Sequence, residues 1–202
     1  MQKKIILASQ SRDRHEILKR AKIPFEIKVA NIDEDKFKKN INVPTKLITE
    51  LAKAKALYVK KLILKEGLNA IIIAADTIVE CDGQIIGKAA NEENAFQILK
   101  SLQNRQHNLL TGIAIVDTLS PKVIVDFEQT IVHFGKLSDE EILSYIKIGE
   151  WKGRAGAYSI NNKANIFIKS INGSFSNVIG LPLFKIYTIL KEHFNFNLLN
   201  KH

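Results

Sequence analysis

The sequence predicts an α/β fold, in which a largely buried sheet is covered by amphipathic helices. The longest helical pattern covers residues 45–65, where apolar residues recur at helical spacing. Residues 71–75 follow as a continuous apolar run with the length of a strand buried on both faces. Strands that alternate with helices along a chain are typical of α/β proteins.

The first part of the chain predicts a strand, a polar turn and a helix. Residues 3–8 have the pattern of a short buried strand, and Ser9-Gln10-Ser11 leads into a segment with Ile17 and Leu18 on one helical face. Residues 25–29 alternate between apolar and polar side chains, which predicts a half-buried strand.

The middle of the chain predicts two hairpins and a helix. Asp82-Gly83 is a hairpin-turn sequence between the apolar run and residues 84–87. A helix is expected over residues 91–102. The β-rich stretches 108–116 and 123–134 are separated by a turn signal, so we expect them to pair as a long hairpin.

The last part of the chain predicts two helices joined by short strands and loops. Ser138-Asp139-Glu140-Glu141 is a capping box and predicts the first of these helices. Short strands are expected around Tyr158 and over residues 166–168, followed by a polar loop over residues 172–177. A final helix is expected after Pro182.

Composition places the 202 residues in one ordinary globular domain, predicted to span residues 1–202. Hydrophobic residues make up 46% and charged residues 25%. The apolar runs are too short to cross a bilayer, and the first residues lack the apolar core of a signal peptide. Cys81 is the single cysteine, which excludes an internal disulfide. These features predict a cytoplasmic protein without membrane contact.

The net charge of +9 is compatible with a phosphate-bearing ligand, because a positive field concentrates anions. The lysines are scattered along the chain rather than grouped. A solvated surface is therefore favoured over a dedicated nucleic-acid patch, and nucleic acid is not expected as a partner.

Three polar clusters fall at predicted strand ends and helix starts, where α/β proteins build their sites. They are residues 9–14, Glu34 with its acidic neighbours, and Asp76-Thr77 with Lys88. Asp76 follows an apolar strand, where a carboxylate is costly unless it is hydrogen-bonded, paired or bound to a metal. A carboxylate that caps backbone N–H groups is an equally good interpretation of that position.

Arg12 and Arg14 flank the start of a predicted helix, whose free N–H groups and dipole favour an anion. The alternative is a solvated first turn, but positive charge there opposes the dipole. The histidines have no metal-ligand spacing, and neither a nucleophile elbow nor a Walker or Rossmann fingerprint is present. The sequence therefore gives no support to serine-hydrolase and P-loop chemistry.

Taken together, the clusters resemble the Maf family in order, spacing and residue type across nearly the whole chain. The segments that carry the resemblance are Leu7-Ala8-Ser9-Gln10-Ser11 with Arg14 and Glu16-Ile17-Leu18, Ile32-Asp33-Glu34, Leu51-Ala52-Lys53-Ala54-Lys55-Ala56, Ala75-Asp76-Thr77-Ile78-Val79, Gly83-Gln84-Ile85-Ile86-Gly87-Lys88, His107 with Thr111-Gly112, Ala155-Gly156-Ala157-Tyr158, Ile171-Asn172-Gly173-Ser174 and Asn177-Val178-Ile179-Gly180-Leu181-Pro182-Leu183.

The resemblance implies a mixed sheet with flanking helices and two lobes around a deep cleft, similar to inosine triphosphate pyrophosphatases. It also implies hydrolysis between the α- and β-phosphates of ordinary or non-standard nucleoside triphosphates, which yields a nucleoside monophosphate and pyrophosphate. The implied cofactor is Mg²⁺ or Mn²⁺, and the implied assembly is a homodimer.

The resemblance also assigns roles to individual positions. Asp76 matches the proposed proton acceptor, and the catalytic set it implies is Asp76, Glu34, Lys55 and Lys88. Asp76 and Glu34 are the implied metal ligands. The implied substrate-binding residues are Ser9, Arg12, Asp13, Arg14, Thr77 and Asn161.

The chain departs from the family pattern at positions linked to base choice. Where the family usually reads Ser-Pro-Arg-Arg, this chain has Ser11-Arg12-Asp13-Arg14. Members that prefer UTP and dTTP have an arginine at position 13 and a glutamine at position 161, whereas Thr77 is retained here. A carboxylate at position 13 accepts hydrogen bonds and would disfavour a pyrimidine O2 or O4. Alternatively, Asp13 points to solvent or pairs with Arg12 or Arg14, which leaves selectivity broad.

A second class of function is a non-catalytic regulator of cell division that binds a nucleotide or a partner. The intact set of Asp76, Glu34, Lys55 and Lys88 favours catalysis, because a binding module has no evident need for all four.

Overall fold

The structure, a computed structural model, describes residues 3–200, so the first two and last two residues of the predicted 1–202 domain lie outside it. This part of the chain forms one mixed sheet. Its strands are β1 (Lys4–Leu7), β2 (Glu26–Ile27), β3 (Ala70–Cys81), β4 (Gln84–Ile86), β5 (Gln106–Asp117), β6 (Val123–Phe134) and β7 (Ile168–Asn172).

The strand order is β2-β1-β3-β5-β6-β7, and β4 pairs with the end of β3. The strand β1 is parallel to β2 and β3, whereas the pairs from β3 through β7 are antiparallel. The helices are α1 (Arg12–Arg20), α2 (Glu34–Asn40), α3 (Pro44–Lys65), α4 (Glu92–Leu102), α5 (Asp139–Ile148), α6 (Phe175–Val178) and α7 (Leu183–Phe194). The predicted α/β class, with a mixed sheet and flanking helices, is therefore confirmed.

Most local predictions are confirmed because each rests on a short-range interaction. The Ser138 hydroxyl accepts from the Glu141 N–H at 3.2 Å, and the Glu141 carboxylate accepts from the Ser138 N–H at 2.7 Å. Gly149 ends α5 in the left-handed conformation. The strands β5 and β6 form the predicted long hairpin, and Asp82-Gly83 joins β3 to β4 with positive φ at both residues.

Four local predictions are wrong. The strand predicted over residues 25–29 contains only two residues, and no strand forms around Tyr158, which lies outside the helices and strands. Residues 166–168 are mostly the end of a 3₁₀ turn, and the segment predicted as a polar loop contains the end of β7 and the start of α6. In these short segments, tertiary contacts rather than hydrophobic period decide the conformation.

The predicted end of β3 after Ala75 is also wrong, because the strand continues to Cys81. The reason is its partner: β5 pairs with β3 from Ile71 to Glu80 without interruption. Asp76 and Thr77 therefore lie within a strand, and their side chains point to opposite faces of the sheet.

The helix α3 covers one face of the sheet and lies very close to it at Gly112. This glycine is paired with Asp76, and a Cβ atom there would be 2.4 Å from the carbonyl oxygen of Ile48. Only glycine allows this contact. Ala52 and Ala56 continue the close packing along α3, and both side chains are buried. The larger apolar cluster lies on the other face, under α1, α4, α5 and α7.

In the described part of the chain, no helix combines the length and apolar character needed to span a bilayer.

A histidine is buried in the larger cluster, away from any polar site. His107 is 2% exposed, its Nε2 lies 2.9 Å from the Tyr158 hydroxyl, and its ring packs edge-on against Phe134. Burial lowers the pKa of His107 to about 4. The imidazole is therefore neutral in the folded protein at neutral pH, and its role is structural.

We predict that this histidine makes the protein less stable in mild acid. Its pKa in the unfolded chain is about 6.5, so on acidification the unfolded state binds a proton first. The His107 contribution is fully present above about pH 6.5 and is lost as pH falls toward about 4, by about 3 kcal/mol in the free energy of unfolding. Urea unfolding across this pH range measures it.

The control for this prediction is His107→Gln, which cannot titrate. Its absolute stability is expected to be lower, but the slope of unfolding free energy against pH should become shallower by the His107 contribution. An unchanged slope in His107→Gln would mean that the histidine does not titrate differently in the two states.

Candidate active site

The candidate site lies where β1 ends and leaves β3 without a neighbour on one edge. The two strands pair only as far as Leu7 and Ile73. Beyond that point the Ala75 carbonyl, which would face a longer β1, accepts a hydrogen bond from Arg14 Nη1 at 2.9 Å. Edges of this kind, beside the carboxyl end of a parallel strand, are where α/β proteins bind ligands.

Three of the predicted residues meet on the α3 face of β3. Lys55 Nζ lies 2.6 Å from Asp76 Oδ1 and 2.8 Å from Glu34 Oε1, so one ammonium group holds two carboxylates. The Lys55 and Asp76 side chains are 12% and 14% exposed, whereas Glu34 is 37% exposed. The cluster is therefore mostly shielded from water but open on the Glu34 side.

Each of these side chains is delivered by a different element. Asp76 comes from the middle of β3, Lys55 from α3, and Glu34 from the first turn of α2, where Asp33 is the N-cap. The contact of α3 with Gly112 brings the helix close enough for Lys55 to reach β3. The acidic residues were predicted as a strand-end cluster; α2 itself was not predicted.

Opposing effects set the ionisation of Glu34. Burial raises its pKa, but the hydrogen bond from Lys55 and the positive charges of Lys55, Lys38 and Lys88 outweigh that effect, so the pKa is lowered. Glu34 is therefore a carboxylate at neutral pH. Lys88 is exposed, at an isolated bridge to Ala155, and acts on Glu34 through charge without a direct ion pair.

Ser9, Arg14 and Thr77 meet on the opposite face of β3. Arg14 is 8% exposed, and its Nη1 donates to Ser9 Oγ at 3.1 Å while its Nη2 donates to Thr77 Oγ1 at 2.8 Å. Its Nε donates to the Gly180 carbonyl at 2.7 Å. Burial lowers the pKa of Arg14, and the charges of Asp76, Glu34 and Asp13 oppose this. The guanidinium is thus a fixed cation held by protein acceptors.

Asp13 has a partner that the sequence did not indicate. Both of its oxygens accept from Arg154, with Nε–Oδ2 at 2.9 Å and Nη2–Oδ1 at 3.0 Å. The alternative prediction is that Asp13 pairs with Arg12 or Arg14. Asp13 does form an ion pair, but its partner is Arg154. The ion pair ties the first turn of α1 to the loop before Ala155-Gly156, and each oxygen of the carboxylate accepts one hydrogen bond from the guanidinium.

The remaining predicted residues do not join these groups directly. The Arg12 side chain is exposed at the start of α1. The Asn161 side chain is partly buried, and its Oδ1 is buried without a hydrogen-bond partner. Neither makes a hydrogen bond or ion pair to Asp76, Arg14 or Asp13 among residues 3–200.

The carboxylate pair fits Mg²⁺ in its donor type. Asp76 and Glu34 each direct one oxygen toward Lys55 Nζ, so a metal ion would be held by the second oxygen of each carboxylate. Within residues 3–200 no three His, Cys, Asp or Glu side chains form a complete metal-binding group. Mg²⁺ usually binds one or two carboxylates and completes its shell with water and substrate phosphates, so two carboxylates are sufficient.

An open polar groove of about 520 Å³ adjoins this cluster at Glu34. Its lining residues are mainly polar: Gln10, Val29, Ala30, Asn31, Ile32, Asp33, Glu34, Asp35 and Lys38. Gln10, in the loop between β1 and α1, lines the groove together with Glu34, so the groove lies between this loop and the start of α2.

Sequence reasoning missed Arg154, Gly180 and Asn177. The last two belong to a segment that the resemblance had matched but to which it gave no role. Arg154 carried no signal of its own, since its partner lies 141 positions earlier in the chain.

Comparison with known proteins identifies the family. The family model described as "Maf: Maf-like protein" matches residues 4–193, and the chain belongs to this family. A dTTP/UTP pyrophosphatase of Caldicellulosiruptor saccharolyticus is 42% identical over 94% of both chains. A dTTP/UTP pyrophosphatase of Alkaliphilus oremlandii is 43% identical over 98% of this chain and 100% of its own.

A solved structure of a nucleoside-triphosphatase / dITP/XTP pyrophosphatase from Mycobacterium abscessus aligns with 66% of this chain and 75% of its own. The TM-score is 0.38 and the sequence identity 13%.

Proposed function

We propose that this protein is a nucleoside triphosphate pyrophosphatase that hydrolyses the bond between the α- and β-phosphates. The observation that carries the proposal is the convergence of Asp76, Glu34 and Lys55 at one point on β3, with the buried Arg14 on the opposite face of the same strand. The names of the relatives that match nearly the whole chain agree with it. They support catalysis over a non-catalytic regulator of cell division.

The reaction needs a positioned water and neutralised phosphate charge more than it needs covalent chemistry. Water attacks the α-phosphorus, the bond to the bridging oxygen breaks, and pyrophosphate leaves. Asp76 takes the proton from water, and Lys55 holds Asp76 and Glu34 in place and stabilises negative charge. Lys88 is exposed and free to reach a phosphate of the bound substrate.

We propose Mg²⁺ as the cofactor, with Mn²⁺ as a substitute, held by Asp76 and Glu34. A bound divalent ion supplies charge neutralisation on the phosphates and lowers the pKa of coordinated water.

We propose UTP and dTTP as the preferred substrates. The relatives are named for these nucleotides, and Thr77 is retained. Asp13 had argued against them as an acceptor, but both of its oxygens already accept a hydrogen bond from Arg154. Arg154 is held in a fixed orientation close to Asp13. Its N–H groups therefore lie near the position where the family usually has an arginine.

Three further expectations stay predictions. They are a homodimeric assembly, a cytoplasmic location and the absence of nucleic acid as a partner. Cys81 is a free and buried thiol, which is compatible with a reducing compartment.

We predict that Asp76→Asn lowers kcat at least about a hundredfold, because an amide cannot accept the proton from water. The amide oxygen still accepts a hydrogen bond from Lys55, so the fold should be retained. Pyrophosphate release from a triphosphate panel in the presence of Mg²⁺ measures the effect.

The matched control for Asp76→Asn is Asp126→Asn. Asp126 is also a strand aspartate paired with a lysine, Lys185, at 2.9 Å, but it lies on the opposite face of the sheet. This variant should keep its activity. Near-normal turnover in folded Asp76→Asn would show that Asp76 is not the proton acceptor. If the wild-type protein released no pyrophosphate from any triphosphate, the proposed activity would be wrong.

We predict that kcat/KM for UTP and dTTP exceeds kcat/KM for CTP and the purine triphosphates. Arg154→Gln should reduce the ratio of these two values more than about threefold, which corresponds to roughly 0.7 kcal/mol of differential transition-state binding. Arg105→Gln is the control, because Arg105 also pairs with an aspartate, Asp82, at an exposed position. Equal use of all bases by the wild type, or an unchanged ratio in Arg154→Gln, would contradict the substrate proposal.

A further inference from the structure

The segment from Ser174 to Pro182 has no role in the chemistry described above, although much of it lies beneath the site. It comprises the single turn α6, capped by Ser174, and the turn that leads into α7. Asn177 is fully buried in it, and Gly180 faces Arg14. These two residues connect the segment with the buried guanidinium by separate routes.

Asn177 anchors the segment to the sheet. Its Nδ2 lies 3.2 Å from the Leu109 carbonyl, 3.3 Å from the Glu128 carbonyl and 3.0 Å from Thr130 Oγ1, and its two hydrogens are shared among these three acceptors. These acceptors belong to β5 and β6, so the amide fixes the segment across two neighbouring strands. Because the side chain is buried, each of these hydrogen bonds is costly to lose.

The first route to Arg14 is a chain of hydroxyl groups. Thr111 Oγ1 donates to the Asn177 carbonyl at 3.5 Å and lies 3.0 Å from Thr77 Oγ1, which accepts from Arg14 Nη2 at 2.8 Å. A guanidinium can only donate, and Thr111 gives its single proton to Asn177. Thr77 must therefore donate to Thr111, so all the hydrogen bonds run in one direction from Arg14 to Asn177.

The second route is direct. The Gly180 carbonyl accepts from Arg14 Nε at 2.7 Å. Gly180 has φ of +100°, and a Cβ atom there would lie 3.1 Å from Thr77 Oγ1 and 3.4 Å from Arg14 Nε. A side chain at this position would strain the backbone and press on both groups that the segment holds.

Arg14 also binds the backbone next to Asp76, so the hydrogen bonds that fix Arg14 restrain this backbone as well. Its Nη1 bonds to the Ala75 carbonyl, at the place where β1 no longer pairs with β3. The guanidinium thus replaces a missing strand partner at the peptide that immediately precedes Asp76. A shift of this peptide would rotate the Asp76 carboxylate relative to Lys55.

We infer that the segment from Ser174 to Pro182 is a positioning element for Arg14, and through Arg14 for Asp76. Asn177, Gly180 and Thr111 are its positioning residues, and none of them belongs to the proposed catalytic or substrate-binding set. The kinetic part of this inference rests on the proposed pyrophosphatase activity. Misplacing a reacting group mainly slows the chemical step, so loss of the element lowers kcat and leaves KM nearly unchanged.

The test compares two pairs of variants. Gly180→Ala is matched with Gly149→Ala, which has positive φ of +79° but no atom within 4 Å of a new Cβ. Thr111→Val, which removes the hydroxyl link, is matched with Thr111→Ser, which keeps it. We expect Gly180→Ala and Thr111→Val to lower kcat at least about tenfold with KM changed less than about threefold. Thr111→Ser should recover most of kcat, and Gly149→Ala should not change it.

A second readout is the solvent exchange of the Arg14 Nε–H, followed by NMR. We expect slow exchange in the wild type and faster exchange in Gly180→Ala and Thr111→Val. The inference is overturned if kcat stays within about twofold in both variants, if KM rises instead, or if Thr111→Ser loses as much kcat as Thr111→Val. If the wild type cleaves no triphosphate, the proposed function fails, and the Nε–H exchange alone decides whether the segment holds Arg14.

Discussion

The ammonium group of Lys55, held between Asp76 and Glu34, is the interaction on which the site depends. Two carboxylates that face one point repel each other, and Asp76 follows a run of six apolar residues in β3. Lys55 lies between the two carboxylates, so its one positive charge reduces their repulsion. A partly buried group of this kind contributes little net stability, but removing one member leaves an uncompensated charge. The arrangement therefore specifies geometry more than it stabilises the fold.

The fold around this interaction follows from close packing at two glycines. Gly112 allows α3 to rest on β5 next to Asp76, which brings Lys55 within reach. On the opposite face, Gly180 allows the turn before α7 to approach Arg14 and Thr77. Since Asp76 and Thr77 are consecutive in β3, the strand presents the carboxylate to one face and the hydroxyl to the other. The cluster of Lys55 with its two carboxylates therefore lies on one face of β3, and the Arg14 guanidinium lies on the other.

The sequence predicts those parts of the protein that depend on neighbours in the chain. The helix α3, the capping box at Ser138 and the hairpin of β5 and β6 follow from period and turn chemistry. It could not predict that β3 continues past Asp76, because that depends on pairing with β5. For the same reason Asp13 was assigned without Arg154, since no local pattern indicates a partner so distant along the chain. Asp76 could be proposed as a site residue from the sequence, because a carboxylate directly after an apolar run is costly unless it is hydrogen-bonded, paired or bound to a metal.

The measurement that tests this account most directly is the stability of Lys55→Met with and without Mg²⁺, at constant ionic strength. Lys53→Met is the control, on the same helix but without an ion pair among the described residues. Without Mg²⁺, we expect Lys55→Met to be less stable than Lys53→Met by at least about 1 kcal/mol, because Asp76 and Glu34 then repel each other. Mg²⁺ should raise the melting temperature of Lys55→Met more than that of the wild type, because the ion replaces the missing charge. Equal stability of the two variants, with the same response to Mg²⁺, would mean that Lys55 does not hold Asp76 and Glu34 together.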